Sequence, residues 1–205
     1  FALSVITRHR GVFIISSGVV MLTATYAVLS LSVEQDAERS FIFRILEYLR
    51  QHAGQTEKID PACLASQLNQ LTQFAEARHQ PKIENCLIPA VRRATSDADA
   101  LLADLEALRR VGGNMLRAVR KYMRTLFQRG APRMERLCRM MELYCHNLLM
   151  RLAKEEQELL PLAQRVISRD AWFKIGSTFL SQDASREAGS AVAAVAIPEP
   201  AMIMN

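Results

Sequence analysis

The sequence predicts an all-α protein, an antiparallel up-down four-helix bundle built from two helix hairpins with a short helix after it. Three observations carry that prediction. The 205 residues are half hydrophobic, poor in Gly and aromatics, and rich in the helix formers Leu, Ala, Arg, Glu, Gln and Met. Apolar residues recur at helical spacing in four long segments separated by short breakers. One phrase also occurs twice: residues 79–89 run His-Gln-Pro-Lys-Ile-Glu-Asn-Cys-Leu-Ile-Pro, and residues 151–161 run Arg-Leu-Ala-Lys-Glu-Glu-Gln-Glu-Leu-Leu-Pro. Each copy ends in an aliphatic pair and a Pro, as expected of duplicated hairpins.

The first helix is expected from near Ala24 to His52, with Leu31, Ile42, Ile45, Leu46 and Leu49 on one stripe. Ala53-Gly54 breaks it. Asp60-Pro61 opens the second helix, Asp as N-cap and Pro in the first turn. Leu64, Leu68, Leu71 and Phe74 lead inward toward Ile83 and Leu87, and Pro81 should kink the helix. Ser96-Asp97 opens the third helix, with Leu101, Leu105, Leu108, Met115, Leu116 and Val119 inward and Gly112-Gly113 weakening its middle. Gly130-Ala131-Pro132 separates it from the fourth, which carries Leu137, Met141, Leu148, Leu152 and Leu159 to Ile167. A short helix near 170–180 follows, with Trp172 and Phe173 over the core. The bundle is thus expected over 21–181, with residues 182–205 a disordered tail rich in Ala, Ser, Gly and Pro.

Residues 1–20 read as an extension or as part of an apolar segment. Residues 11–33 carry no charge, and Arg8 to Arg10 precede them. A span over 12–33 would anchor the chain in an inner membrane with its N-terminus inside. Six Ser and Thr residues in that run argue against it, so a cytoplasmic location is preferred. The four cysteines form no CxxC pair and read as reduced, packed thiols. The net charge of +5 does not by itself imply nucleic acid. The basic run from Arg117 to Arg139 has only Tyr122 and Phe127 for base stacking and reads as a solvated end. Met134, Met140, Met141 and Met150 read as core filler. His9, His52 and His146 lie outside the repeated phrase. No phosphate loop, nucleophile elbow or Cys/His catalytic pair is present, so no catalytic residue is assigned.

The doubled phrase resembles the hemerythrin-like (HHE) family, in which two hairpins hold iron or another metal through His-x-x-x-Glu-Glu followed by two residues, an aliphatic pair and Pro. Lys154 to Pro161 is similar to that motif, and Ser168 to Trp172 to the segment that follows it. The resemblance implies metal ligands at positions that this chain fills otherwise. Arg39, Ala98 and Arg151 stand at three of the His positions, and Ile83 at one Glu position; His79 and Glu155 remain. A guanidinium has no lone pair to give a metal. The expectation is a decayed metal site, its place taken by a buried polar cluster of Arg39, His79, Arg151 and Glu155, in a non-enzymatic regulatory or binding protein without a cofactor. The alternative is a working non-heme or di-iron protein that binds or senses oxygen or a small redox species. Its ligands would be His79, Glu84, Glu155 and Glu156, with Glu34, Glu38, Asp97 and Asp99 as further carboxylates. The partner is expected to be another protein or a second copy of the chain.

Overall fold

The computed structural model describes residues 2–129 and 134–195, and side chains over 22–56, 58–125 and 134–188. The described residues are all helical apart from turns, with no strand, and run as five helices. We label these α1 (Ala2–Gln51), α2 (residues 61–94), α3 (Asp99–Arg129), α4 (residues 134–166) and α5 (Arg169–Val195). No helix among the described residues is long and apolar enough to cross a membrane. Contacts divide the chain into two compact units, one of Phe1–Ala27 with Arg169–Asn205 and one of Val28–Ser168.

These boundaries correct the expected ones. α1 begins well before Ala24, and α5 does not stop near 180. The expected disordered tail continues as helix through 182–195, because Ala is the best helix former and no Pro intervenes before 198. Residues 196–205, and the Gly130-Ala131-Pro132 connection, lie outside the described residues. So do the side chains of residues 1–20, on which the extension reading rests. Trp172 is buried and Phe173 half-buried, but both belong to the unit formed by the chain ends.

In that unit α1 and α5 come very close. A Cβ at Gly176 would strike the Thr23 carbonyl oxygen, a backbone atom that cannot swing aside. The Tyr26 hydroxyl also donates to Asp183 Oδ2 at 2.7 Å. Gly176→Ala is therefore expected to destabilise this unit by about 1–3 kcal/mol, the usual cost of overpacking. Slower-protected amides of α1 near Thr23 should exchange faster in that variant, with α3 and α4 unaffected.

Within Val28–Ser168 the apolar stripes are largely as expected. Leu31, Ile42, Ile45 and Leu49 of α1 are buried, as are Leu64, Leu68 and Leu71 of α2 and Leu137, Met141, Leu148 and Leu152 of α4. Ile42 to Leu49, Leu64 to Leu71, Val119 with Met123, and Leu137 to Leu152 form one core. On α3 the buried apolar side chains are Leu102, Leu105, Val119 and Met123, with Ala98 buried just before it, while Leu101, Leu108, Met115 and Leu116 are only half-buried. Met141 is core, whereas Met150 is exposed. Asp60 caps α2 as expected, its Oδ1 accepting from the Ala62 N–H at 2.8 Å. Gly54 takes a φ of +79° after α1, a conformation that favours Gly. The four cysteines are free, and burial pushes the Cys145 thiol up to about 12, which leaves it unreactive.

Three prolines are carried inside helices. Each of Pro81, Pro89 and Pro161 lies two residues beyond a widened turn, respectively Ala75–His79, Ile83–Leu87 and Glu155–Leu159. In each, a backbone N–H reaches back five residues: Gln80 to Ala75, Ile88 to Ile83, Leu160 to Glu155. A proline ring clashes with the carbonyl four residues earlier and has no N–H to give. One extra residue in the turn separates the two. The disruption expected at Pro81 is absorbed in this way, and α2 continues. Ile83–Leu87 and Glu155–Leu159 hold the same place in the two copies, so the repeated phrase is a repeated backbone device.

Candidate functional site

Nine polar or charged residues are buried among the described side chains, and most belong to one region of α1, α2 and α4. At its centre His79 and Glu155 are 1% and 0% exposed. They are 76 positions apart in the chain, and His79 Nε2 donates to Glu155 Oε2 at 2.6 Å. The other oxygen, Oε1, accepts from Arg151 Nε at 2.8 Å, one helical turn away on α4. Arg151 Nη2 donates to Glu84 Oε1 at 3.0 Å, and Arg109 of α3 approaches the same oxygen at 3.9 Å. The chain His79–Glu155–Arg151–Glu84–Arg109 therefore leads from the interior to solvent.

A second pair joins α1 to α2. Lys82 is fully buried, and its Nζ donates to Glu34 Oε1 at 2.7 Å and to Ser30 Oγ at 2.8 Å. Glu38 is also buried, and it is electrostatically coupled to His79, Glu155, Arg151 and Glu34.

Burial and partners decide the charge states. Burial works against a charged His79, but the Glu155 carboxylate, by charge and by hydrogen bond, and Glu38 outweigh it. The imidazole pKa ends above its ordinary 6.5. Burial likewise opposes a charged Glu155, yet His79 and Arg151 hold its carboxyl below 4.5. Glu38 goes the other way: burial raises it, Glu155 and Glu34 add to that, and His79 and Arg151 only partly offset the rise. The ion pair is thus an imidazolium on a carboxylate, beside a Glu38 carboxyl that burial holds above its ordinary value.

This arrangement gives a signed pH dependence. His79, raised on folding, contributes stability that is complete below its unfolded pKa and is lost as pH rises through its folded value. Glu155, lowered on folding, contributes above its unfolded value and loses that contribution as pH falls through its folded one. Glu38, raised on folding, favours the folded state only when protonated. Chemical denaturation should therefore find stability falling as pH climbs from 6 past the His79 value. The slope should shrink in His79→Gln, with Glu38 carrying what remains.

The expected cluster is brought together in part. His79, Arg151 and Glu155 meet, but Arg39 does not join them. Arg39 lies at the surface, donating to Asp36 Oδ1 at 2.8 Å and to Glu156 Oε2 at 2.7 Å. The buried stripe of α1 runs through Glu34, Glu38, Ile42 and Ile45, so the interior position is Glu38, one residue before Arg39. Ala98 is buried. Lys82 was not anticipated, since a Lys between Pro81 and Ile83 gives no sign of burial. Of the further carboxylates, Glu34 and Glu38 turn inward, while Asp97, Asp99 and Glu156 are exposed.

The alternative ligand set of His79, Glu84, Glu155 and Glu156 is not assembled. Glu156 faces solvent against Arg39, and Glu84 is engaged by Arg151. Among the described residues no three His, Cys, Asp or Glu side chains stand together where they could hold a metal ion. Glu155 has one oxygen on an imidazole and the other on a guanidinium, and an ammonium is bonded to Glu34. Such a donor set does not fit a di-iron centre, which needs several converging imidazole and carboxylate ligands. His52 and His146 each donate from Nδ1 to a carbonyl of their own helix, of Tyr48 and Glu142 respectively, away from this region. No family model, curated protein or solved structure matches the chain.

Proposed function

We propose that Val28–Ser168 is an antiparallel four-helix bundle of hemerythrin-like type that has exchanged its metal for a hydrogen-bonded ion network. On this reading the chain acts as a non-catalytic binding or regulatory scaffold. The observation that carries it is the saturation of Glu155, gripped on one side by His79 and on the other by Arg151. A guanidinium takes the role of a cation that cannot leave, exchange or change oxidation state. Its fork gives direction to the hydrogen bonds, so it links α2 to α4 in one register. The widened turn starting at Glu155 and the one ending at His79 aim both side chains to the same place.

Such a network need not add stability over an apolar core, and its attested use is to fix geometry. A binding scaffold has use for fixed helices and for surfaces free of redox chemistry. Elemental analysis of the full chain purified from iron-supplemented culture tests the reading. Iron well below one equivalent, with no absorbance band in the near ultraviolet, is the expected result. One or two bound irons with such a band would overturn it in favour of an oxygen-binding or oxygen-sensing protein.

A further inference from the structure

A second feature lies beside the ion network and shares Arg109 and Arg151 with it. Between α2, α3 and α4 is a cavity of about 160 Å³. By water's share of liquid volume, roughly 30 Å³ each, this is room for about five waters or one small ring. Its walls include Leu116 and Leu148 on the apolar side and Thr72, Tyr144 and Asn147 on the polar side. Asn147 is only 7% exposed, and its Oδ1 is buried without a hydrogen-bond partner. A buried, unpaired carboxamide oxygen is costly and calls for an explanation. Gly112 of α3 leaves the space this oxygen occupies, since a Cβ there would lie 2.6 Å from it.

The charges around the cavity select the ligand. Arg109 and Arg151 both line it, but Arg109 is paired with Glu106 at 2.7 Å and Arg151 with Glu155 at 2.8 Å. Their fields are largely spent on those carboxylates, which weakens any attraction for an anion. The same two pairs leave little net charge to attract an ammonium. Arg120 donates to Thr72 Oγ1 at 3.1 Å, and Glu76 lies on the same wall as Thr72, so neither sign of charge dominates. A neutral ligand remains. The Asn147 carboxamide offers one acceptor and one donor side by side, whichever way the amide is turned. Its complement is a cis-amide edge, with an N–H beside a C=O.

We propose that this cavity binds a small neutral molecule with a cis-amide or lactam edge, read by the Asn147 carboxamide while Leu116 and Leu148 cover its hydrocarbon. The inference goes beyond the ion-network reading, and its failure would leave that reading's metal test untouched. The probe is 2-pyrrolidone, titrated into the full chain and followed by amide NMR, with acetate and methylammonium as separate controls. The expected result is saturable shifts at Gly112, Gly113 and the Asn147 side chain, with Kd of roughly 1 mM for six heavy atoms. Affinity should fall at least tenfold in Asn147→Leu, and also in Leu116→Phe, which narrows the cavity from a half-buried position if the first variant does not fold. Three outcomes would overturn the proposal: shifts that stay linear, as for a cavity that holds water alone; equal or tighter binding of acetate or methylammonium; or binding that neither variant weakens.

Discussion

Glu155→Ala is expected to lower the stability of Val28–Ser168 by about 3–5 kcal/mol, the range found when one partner of a buried ion pair is removed. The substitution takes away the acceptor of two buried donors at once. His79 Nε2 and Arg151 Nε lose bonds of 2.6 and 2.8 Å. Arg151 retains Glu84, which is 30% exposed, but His79, whose Nδ1 is already buried without a partner, loses the charge that holds its proton. Glu155→Gln keeps the shape and one acceptor and should cost less. Chemical denaturation of the two variants at pH 6 measures the difference. His79 should also titrate lower in Glu155→Ala, because burial then acts unopposed by its main partner. An Ala variant as stable as the parent would show that the network carries no strain when cut.

Lys82→Met should be similarly damaging alone, by about 3–5 kcal/mol, and its damage should be largely reversed by a second change. Met has almost the length of the Lys stem, so packing survives and the loss is electrostatic. What remains is Glu34, 6% exposed, with one oxygen deprived of its ammonium and the other already without a partner. Glu34→Leu in the Lys82→Met background removes that stranded carboxylate. Replacing both charges with apolar groups of similar volume is often neutral or stabilising. The double variant should therefore return close to the parent, or exceed it, in a denaturant series. A double variant as weak as Lys82→Met would mean that the pair gives specific support that packing cannot replace.

Much of this architecture was legible in the apolar spacing. The stripe from Leu31 to Leu49, the Asp60-Pro61 start of α2 and the inner face of α4 all follow from periodicity and capping chemistry. The doubled Pro-terminated phrase led to His79, Arg151 and Glu155, which do meet. The failures are instructive in physical terms. The stripe of Ile42, Ile45, Leu46 and Leu49 points Arg39 inward, but Leu46 is only half-buried and the true face passes through Glu38. One residue of register is about 100° of helix, enough to exchange a buried carboxylate for a surface cation. Lys82 was invisible because Lys is almost never fully buried unless paired, and its partner sits 48 positions earlier. The widened turns were hidden because a Pro in a helix predicts a break, and only the backbone shows how the break is avoided. The helix over 182–195 is hidden because Ser and Gly among its Ala residues suggest a loop.

The proton on His79 is the most direct readout of the central claim, that this imidazole is a permanent donor to Glu155 and not a metal ligand. Nitrogen-15 NMR of the histidine rings across pH 5–9 follows it. The account predicts that His79 keeps a proton on both ring nitrogens to a pH above the ordinary imidazole value, and is unmoved by added cobalt(II). A bare Nε2 at neutral pH, with a resonance that broadens when cobalt is added, would contradict it.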